Sequence, residues 1–159
     1  MTNPISRSHY MHTSFRPDRE YIDGELRERN VGLYPHGRTM ALLGVWFASH
    51  EEEWGVMTAL SLRVQVSPTR VRVPDVVLST NVDTPPVLVV EVIDPKDTYS
   101  DIQQRITEYR GFGVGVVWLI DPATRTGRWC VGKACPTAER LEVPGTPIWV
   151  DLSTLFADF

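Results

Sequence analysis

Val87-Leu88-Val89-Val90-Glu91-Val92-Ile93 is the stretch on which the fold turns. Apolar, mostly β-branched residues run through it without polar alternation, the pattern of a central strand covered on both faces. The exception is Glu91. An ionised carboxylate in such a strand loses its hydration and is seldom buried without a partner. Three readings stay open for it: a position near the strand end that reaches water, a structural ion pair with an arginine, or a ligand role.

Upstream, Val71-Arg72-Val73-Pro74-Asp75-Val76-Val77-Leu78 reads as a second strand, with Pro74 implying a bulge or an edge. Downstream, the spacing predicts a helix over about 98–112, with Ile102, Ile106 and Tyr109 on one face and Gly111 or Gly113 near its end. Val114 to Ile120 is a further apolar strand, stopped by Asp121-Pro122. Strand, helix, strand is a crossover unit, so the strands around Glu91 and Val117 are expected to run parallel.

Farther out, Asp23-Gly24 between Tyr21-Ile22 and Glu25-Leu26 marks a tight hairpin turn. Pro35-His36-Gly37 reads as a break, followed by an amphipathic helix over about 38–53. Leu60 to Val66 alternates as a half-buried strand. Residues 126–143 read as a β ribbon, and Leu152 to Phe156 as a short closing helix. The first 15 residues are polar and aperiodic and are expected to form a loose arm, leaving 16–159 as a single domain. The fold class is α/β: a mixed central sheet flanked by two main helices, with an N-terminal hairpin and a C-terminal β ribbon.

The chain has 159 residues, 42% of them hydrophobic and 23% charged, enough for one cored domain. A net charge of −4 argues against a sticky nucleic-acid coat. It does not exclude a nuclease, whose metal site is itself acidic. Arg63, Arg70, Arg72, Arg105, Arg110, Arg125 and Arg128 are candidate phosphate contacts, or equally solvated surface charges. No apolar run reaches membrane-spanning length, and the first 20 residues hold no apolar signal core, so the cytoplasm is the expected location. Cys130 and Cys135 could pair across a hairpin; with no further cysteine to complete a metal site, inert thiols are expected.

Asp75 sharpens the reading of Glu91. Two carboxylates brought together by neighbouring strands repel unless a cation lies between them, and hard oxygen ligands of this kind suit Mg²⁺ or Mn²⁺. The set Arg72-Val73-Pro74-Asp75-Val76, Val90-Glu91-Val92-Ile93-Asp94-Pro95 and Gly113 through Pro122, in that order, resembles the Uma-two type of restriction endonuclease, related to the PD-(D/E)xK nucleases. The hairpin at 21–26 and the helix with Tyr109 are similar too, so the likeness runs from about 18 to 156.

The resemblance implies a restriction-endonuclease-like fold and Mg²⁺-dependent hydrolysis of DNA. It also implies that Asp75 and Glu91 bind the metal, with the Val92 carbonyl as third ligand, and that Glu25 and His36 lie near the site. The chain departs from the family pattern at Ile93, where a PD-(D/E)xK site has lysine. In this family the basic residue is moved into the following helix, and that position is Arg105 here. Asp94 stands where the family often has serine, and Lys96 is a second candidate cation or a surface-loop residue. These departures keep open a different class of function, a catalytically degenerate binding or assembly module. The ribbon edge with Trp129 could serve self-association as a homodimer or simply close the fold.

Overall fold

The computed structural model describes residues 4–30 and 32–159. Along them the order is α1 (Arg7–Met11), β1 (Arg19–Ile22), β2 (Glu25–Glu28), α2 (Tyr34–Ala48), α3 (Glu51–Trp54), β3 (Met57–Leu60), β4 (Val64–Ser67), β5 (Arg70–Arg72) and β6 (Val76–Ser79). There follow β7 (Leu88–Val92), α4 (Tyr99–Phe112), β8 (Val116–Asp121), β9 (Thr126–Cys130), β10 (Arg140–Glu142), β11 (Trp149–Asp151) and α5 (Leu152–Leu155). The main sheet is mixed, in the order β3-β6-β7-β8-β9, and a second, antiparallel sheet runs β2-β1-β5-β4. Strands β10 and β11 form a separate pair.

The decisive stretch lies at the centre of the main sheet. All five residues of β7 are buried, and it pairs in parallel with β8 from Leu88↔Val116 to Val92↔Ile120. Leu88, Val90 and Val92 pack into the same core as Leu43 and Phe47 of α2, whereas Val89 packs with Ile106 and Tyr109 of α4. One helix therefore covers each face, and Glu91, two residues from Val89, points to the α4 side. Each fully buried aliphatic side chain in these layers contributes about 1.5–3 kcal/mol. That rigid frame holds the polar residues at its edge.

Both helices are bounded by local chemistry. Thr98 caps α4, its side-chain oxygen accepting from Asp101 N at 3.2 Å, and Gly113 ends it at a φ of 109°. The helix expected from about 38 begins earlier, at Tyr34. Pro35 does not break the chain but sits in the first turn, where its missing N–H has no intrahelical partner to lose. The expected continuation to 53 is interrupted after Ala48, and α3 is a separate short helix closed by Gly55 at a φ of 66°.

Two expected strands prove to be pairs of strands in different sheets. Ser61, at a φ of 50°, separates β3 on the edge of the main sheet from β4 on the edge of the second. Pro74-Asp75 likewise hands the chain from β5 in the second sheet to β6 in the main one. Proline has no N–H to give a ladder, so pairing stops there. Asp75 is thereby left at the seam between the sheets.

The C-terminal ribbon is also redistributed. Strand β9 joins β8 in the main sheet and β10 pairs with β11, while Trp129 packs partly buried on the core. The thiol expectation is overturned: Cys130 and Cys135 form a disulfide across the turn after β9, with Cα atoms 4.1 Å apart. Where a loose arm is expected, the described residues carry α1 and pack on the fold; residues 1–3 lie outside the described residues. Tyr10 of α1 is fully buried and stacks on Tyr21 with ring centroids 5.5 Å apart. Arg63 clamps the segment, donating to the carbonyls of Tyr10 (2.8 Å) and Thr13 (2.9 Å) and pairing with Asp18. Among the described residues no helix is long and apolar enough to cross a membrane.

Candidate functional site

Strands β6 and β7 are antiparallel with Val76 opposite Val90 and Val77 opposite Val89. Continuing that register by one residue sets Asp75 opposite Glu91, on the α4 side of the sheet. Directly opposed residues share a face with Cβ atoms about 4.5–5.5 Å apart. The Asp75 carboxylate is tied to the end of β7, its Oδ2 accepting from Val92 N at 2.8 Å. Both acids are nearly sealed from solvent, Asp75 at 4% and Glu91 at 8% exposure.

Each carboxylate has protein partners. Arg29 Nη2 lies 3.2 Å from Asp75 Oδ1, and His36 Nε2 lies 3.3 Å from Asp75 Oδ2. The hydrogen bond to Asp75 raises the His36 pKa above its ordinary value, against the opposing effect of burial. His36 reaches this position because Gly32 packs against its ring: a Cβ on Gly32 would stand 2.4 Å from Nδ1. On the other side, Tyr109 Oη donates to Glu91 Oε1 at 2.5 Å, and Arg105 Nη1 lies 3.7 Å from Glu91 Oε2 and 3.9 Å from Asp97 Oδ1. Arg105 and Tyr109 are four residues apart on α4, the spacing that places two side chains on one helix face.

The loop after β7 closes the cleft. Asp94 N donates to Asp97 Oδ2 at 2.8 Å, and Asn30 Nδ2 donates to Asp97 Oδ1 at 3.0 Å, pinning the loop to the end of the hairpin. The result is a small cavity of about 20 Å³ whose lining includes Arg29, His36, Asp75, Glu91, Asp97 and Arg105, room for one water or one ion. Lys96 is exposed and is not part of the lining.

Charge is unbalanced here. Four carboxylates (Asp75, Glu91, Asp94, Asp97) line the cavity against two guanidiniums (Arg29, Arg105) and one imidazole. Burial, and then the neighbouring Asp75 charge, push Glu91 up to about 8, despite the opposing pull of Arg105 and the Tyr109 hydroxyl. Arg105 Nε is buried with no hydrogen-bond partner among the described residues. Among those residues no three His, Cys, Asp or Glu side chains converge as a closed metal cage. Two opposed carboxylates and a backbone carbonyl instead make the open, oxygen-only set that Mg²⁺ or Mn²⁺ accepts while keeping waters or substrate oxygens. The excess of carboxylate fits a divalent cation, and the spare Arg105 donor fits an anionic oxygen beside it.

Of the residues singled out in the sequence, the fold gathers Asp75, Glu91, Val92, His36 and Arg105 around one cavity and leaves Glu25 out. Glu25 is solvent-exposed beside the Asp23-Gly24 turn. The hairpin reaches the site with Arg29 and Asn30 instead, just beyond β2. Arg29 has no signal in the sequence, because nothing in its neighbours shows that it will meet an acid 46 residues away. Tyr109 had one: its shared helix face with Arg105.

Comparison with known proteins agrees with this architecture. No curated protein matches the sequence. The crystal structure of "a putative nuclease belonging to DUF820" from Anabaena variabilis superposes with a TM-score of 0.81 at 17% identity, over 97% of this chain and 98% of that one. A DrdV–DNA complex is similar more loosely, with a TM-score of 0.45 and 16% identity over 75% of this chain and 11% of that one. The first of these, matched over nearly the whole of both chains, shows that the mixed α/β fold is shared with that structure. The Uma2 family model, described as "Putative restriction endonuclease", matches residues 13–156 and so takes in both sheets, both main helices and every residue of the cavity: the chain belongs to the Uma2 family.

Proposed function

We propose that this protein is a Mg²⁺-dependent endonuclease that hydrolyses DNA phosphodiester bonds, with Mn²⁺ able to substitute. The observation that carries the reading is the pair Asp75 and Glu91, opposed on one sheet face inside a cavity with surplus negative charge. Asp75, Glu91 and the Val92 carbonyl would hold the cation. A divalent ion there supplies Lewis-acid polarisation of the phosphate and lowers the pKa of an attacking water.

The remaining roles fall to the chain itself. Arg29, His36 and Val92 N orient the Asp75 carboxylate, and the Tyr109 hydroxyl orients Glu91. Arg105 turns its unpaired Nε–H and a guanidinium charge toward the scissile phosphate, stabilising charge that builds on the phosphorus oxygens. It stays protonated at physiological pH and so cannot be the general base. Ile93, in place of the usual lysine, offers no base either. These two substitutions favour the second reading, a nuclease fold retained for binding.

Plasmid cleavage separates the two. Mn²⁺-dependent nicking by the wild type, lost in Asp75→Asn, is the expected result. Cleavage by Arg105→Lys alone would mark the natural chain as a degenerate member. If neither protein cuts supercoiled, linear or single-stranded DNA, the endonuclease reading is wrong. The same reading sets DNA as substrate, the cytoplasm as location and a homodimer as a way to cut both strands. The Cys130–Cys135 disulfide sits less easily with the cytoplasm, since such bonds persist best in oxidising compartments.

A further inference from the structure

Seven arginines are candidate phosphate contacts by sequence, and the fold removes three of them from contention. Arg63 is bound to Asp18, Arg70 to Asp23 and Glu108, and Arg72 to Glu20 and Glu108, while Arg105 belongs to the cleavage cavity. A guanidinium already matched to a carboxylate has little left to gain from a phosphate. Among the described residues Arg125, Arg128 and Lys133 are exposed with no side-chain carboxylate within ion-pair distance, Arg128 making only a long 3.5 Å contact to the Cys135 carbonyl, and of the three only Arg128 and Lys133 line a common groove.

These two cations stand in one groove of about 700 Å³ beside the cavity. Its floor is β8 and β9, one wall is the start of α4, and the other is the turn closed by the Cys130–Cys135 disulfide, which carries Lys133. Leu119 of the groove lining is paired with Glu91 of the cavity lining across β8 and β7, so the two spaces adjoin. Tyr99, the first residue of α4, is 78% exposed on the groove wall, and Gln103 lies one turn further along. Such exposure removes an aromatic ring from core packing and leaves its face open. Asp121 is the one carboxylate in the lining, and its Oδ1 is turned to Ala123 N at 2.9 Å.

We infer that this groove binds a single nucleic-acid strand running from the cleavage cavity, with Arg128 and Lys133 on its phosphates and Tyr99 stacked on a base. The inference rests on the nuclease reading for why a strand is present, and adds where it lies. Phosphate-tracking cations with a stacking aromatic form the usual platform for unpaired strands. A duplex end would have to open locally to enter.

Binding of a fluorescein-labelled oligothymidylate, followed by anisotropy in EDTA so that nothing is cleaved, tests it on the full chain. The double variant Arg128→Ala/Lys133→Ala should bind more weakly, with a log–log salt dependence shallower by about 1.4, two phosphate contacts at roughly 0.7 each. Tyr99→Ala should lose roughly tenfold or more and Tyr99→Phe should retain binding, because stacking needs the ring and not the hydroxyl. Arg16→Ala/Arg27→Ala, an equal loss of exposed charge away from the groove, should bind as the wild type does. If the wild type binds and the groove variants match it in affinity and salt slope, the strand lies elsewhere and the inference is wrong while the nuclease reading stands. Tighter binding of a hairpin duplex that is indifferent to Tyr99→Ala would equally overturn it. If the wild type binds neither probe at low salt, the groove inference is wrong, while the nuclease reading still stands or falls by plasmid cleavage with Mn²⁺.

Discussion

Two clusters of opposite charge hang from the same helix, and they are built differently. On one side of α4, Glu108 accepts from Arg70 and from Arg72 Nε at 2.6 Å. Arg72 in turn donates to Glu20 at 2.7 Å, and Glu20 takes Val73 N at 3.1 Å. The buried acids there are matched by buried guanidiniums, and each named carboxylate is closed by hydrogen bonds. Three residues away, Arg105 belongs to a cavity where four carboxylates meet two guanidiniums and where one of its own donors is unpaired. Both clusters are acidic and basic residues packed against one sheet. One is complete as it stands, and the other holds more carboxylates than cationic side chains and has a donor to spare. A structural ion network closes on itself, and the uneven one is where the proposed metal and phosphate would fit.

The contrast is broken or sharpened most directly by stability. Arg72→Ala takes the guanidinium from buried Glu20 and leaves Glu108 with Arg70 alone, and should cost about 3–5 kcal/mol in denaturant unfolding. Glu91→Gln should stay within about 1 kcal/mol of the wild type, because burial beside Asp75 already penalises the charged carboxylate and an amide of the same shape can still accept from Tyr109. An equal loss from both would mean that the cavity is as self-sufficient as the network. A smaller effect follows at Tyr109. Removing its hydroxyl in Tyr109→Phe frees Glu91 to rotate and should weaken Mn²⁺ binding by roughly 10–100-fold in calorimetric titration. Unchanged affinity would show that Glu91 needs no orientation from α4.

The smallest effect is in acid. Burial raises the Glu108 pKa, but the hydrogen bonds from Arg72 and Arg70 outweigh it and leave the folded value depressed below 4.5. A depressed carboxylate adds stability that is fully present above its unfolded pKa and disappears as pH falls through the folded one. Unfolding free energy should therefore decline with acid from about pH 4.5 downward, and Glu108→Gln should flatten that decline while lowering stability at neutral pH. A decline as steep in the variant as in the wild type would assign acid sensitivity to other carboxylates.

Much of the frame was legible in the chain because its causes are local. The unbroken apolar run of β7 could only be a doubly covered strand, and the helical repeat through Ile102, Ile106 and Tyr109 named the face of α4 that packs on it. Asp23-Gly24 specified its own turn, and the order strand, helix, strand specified a parallel pair. Boundaries were less legible wherever one segment serves two sheets. Alternation at 60–66 and 71–78 is real, yet neither Ser61 nor Pro74 reveals which sheet lies on each side of it.

The sequence by itself determined that a carboxylate would stand in the central strand, that a second stood on a neighbour, and that a cation followed on the next helix. Periodicity over a few residues is enough for that, since it depends only on backbone geometry. Only the tertiary structure decided which charges meet. Arg29 reaches Asp75 and Glu25 does not, Arg72 is consumed by Glu20 and Glu108, and Arg128 is left free. Those outcomes join residues tens of positions apart, and Coulomb attraction between side chains follows distance in space, which no local pattern encodes.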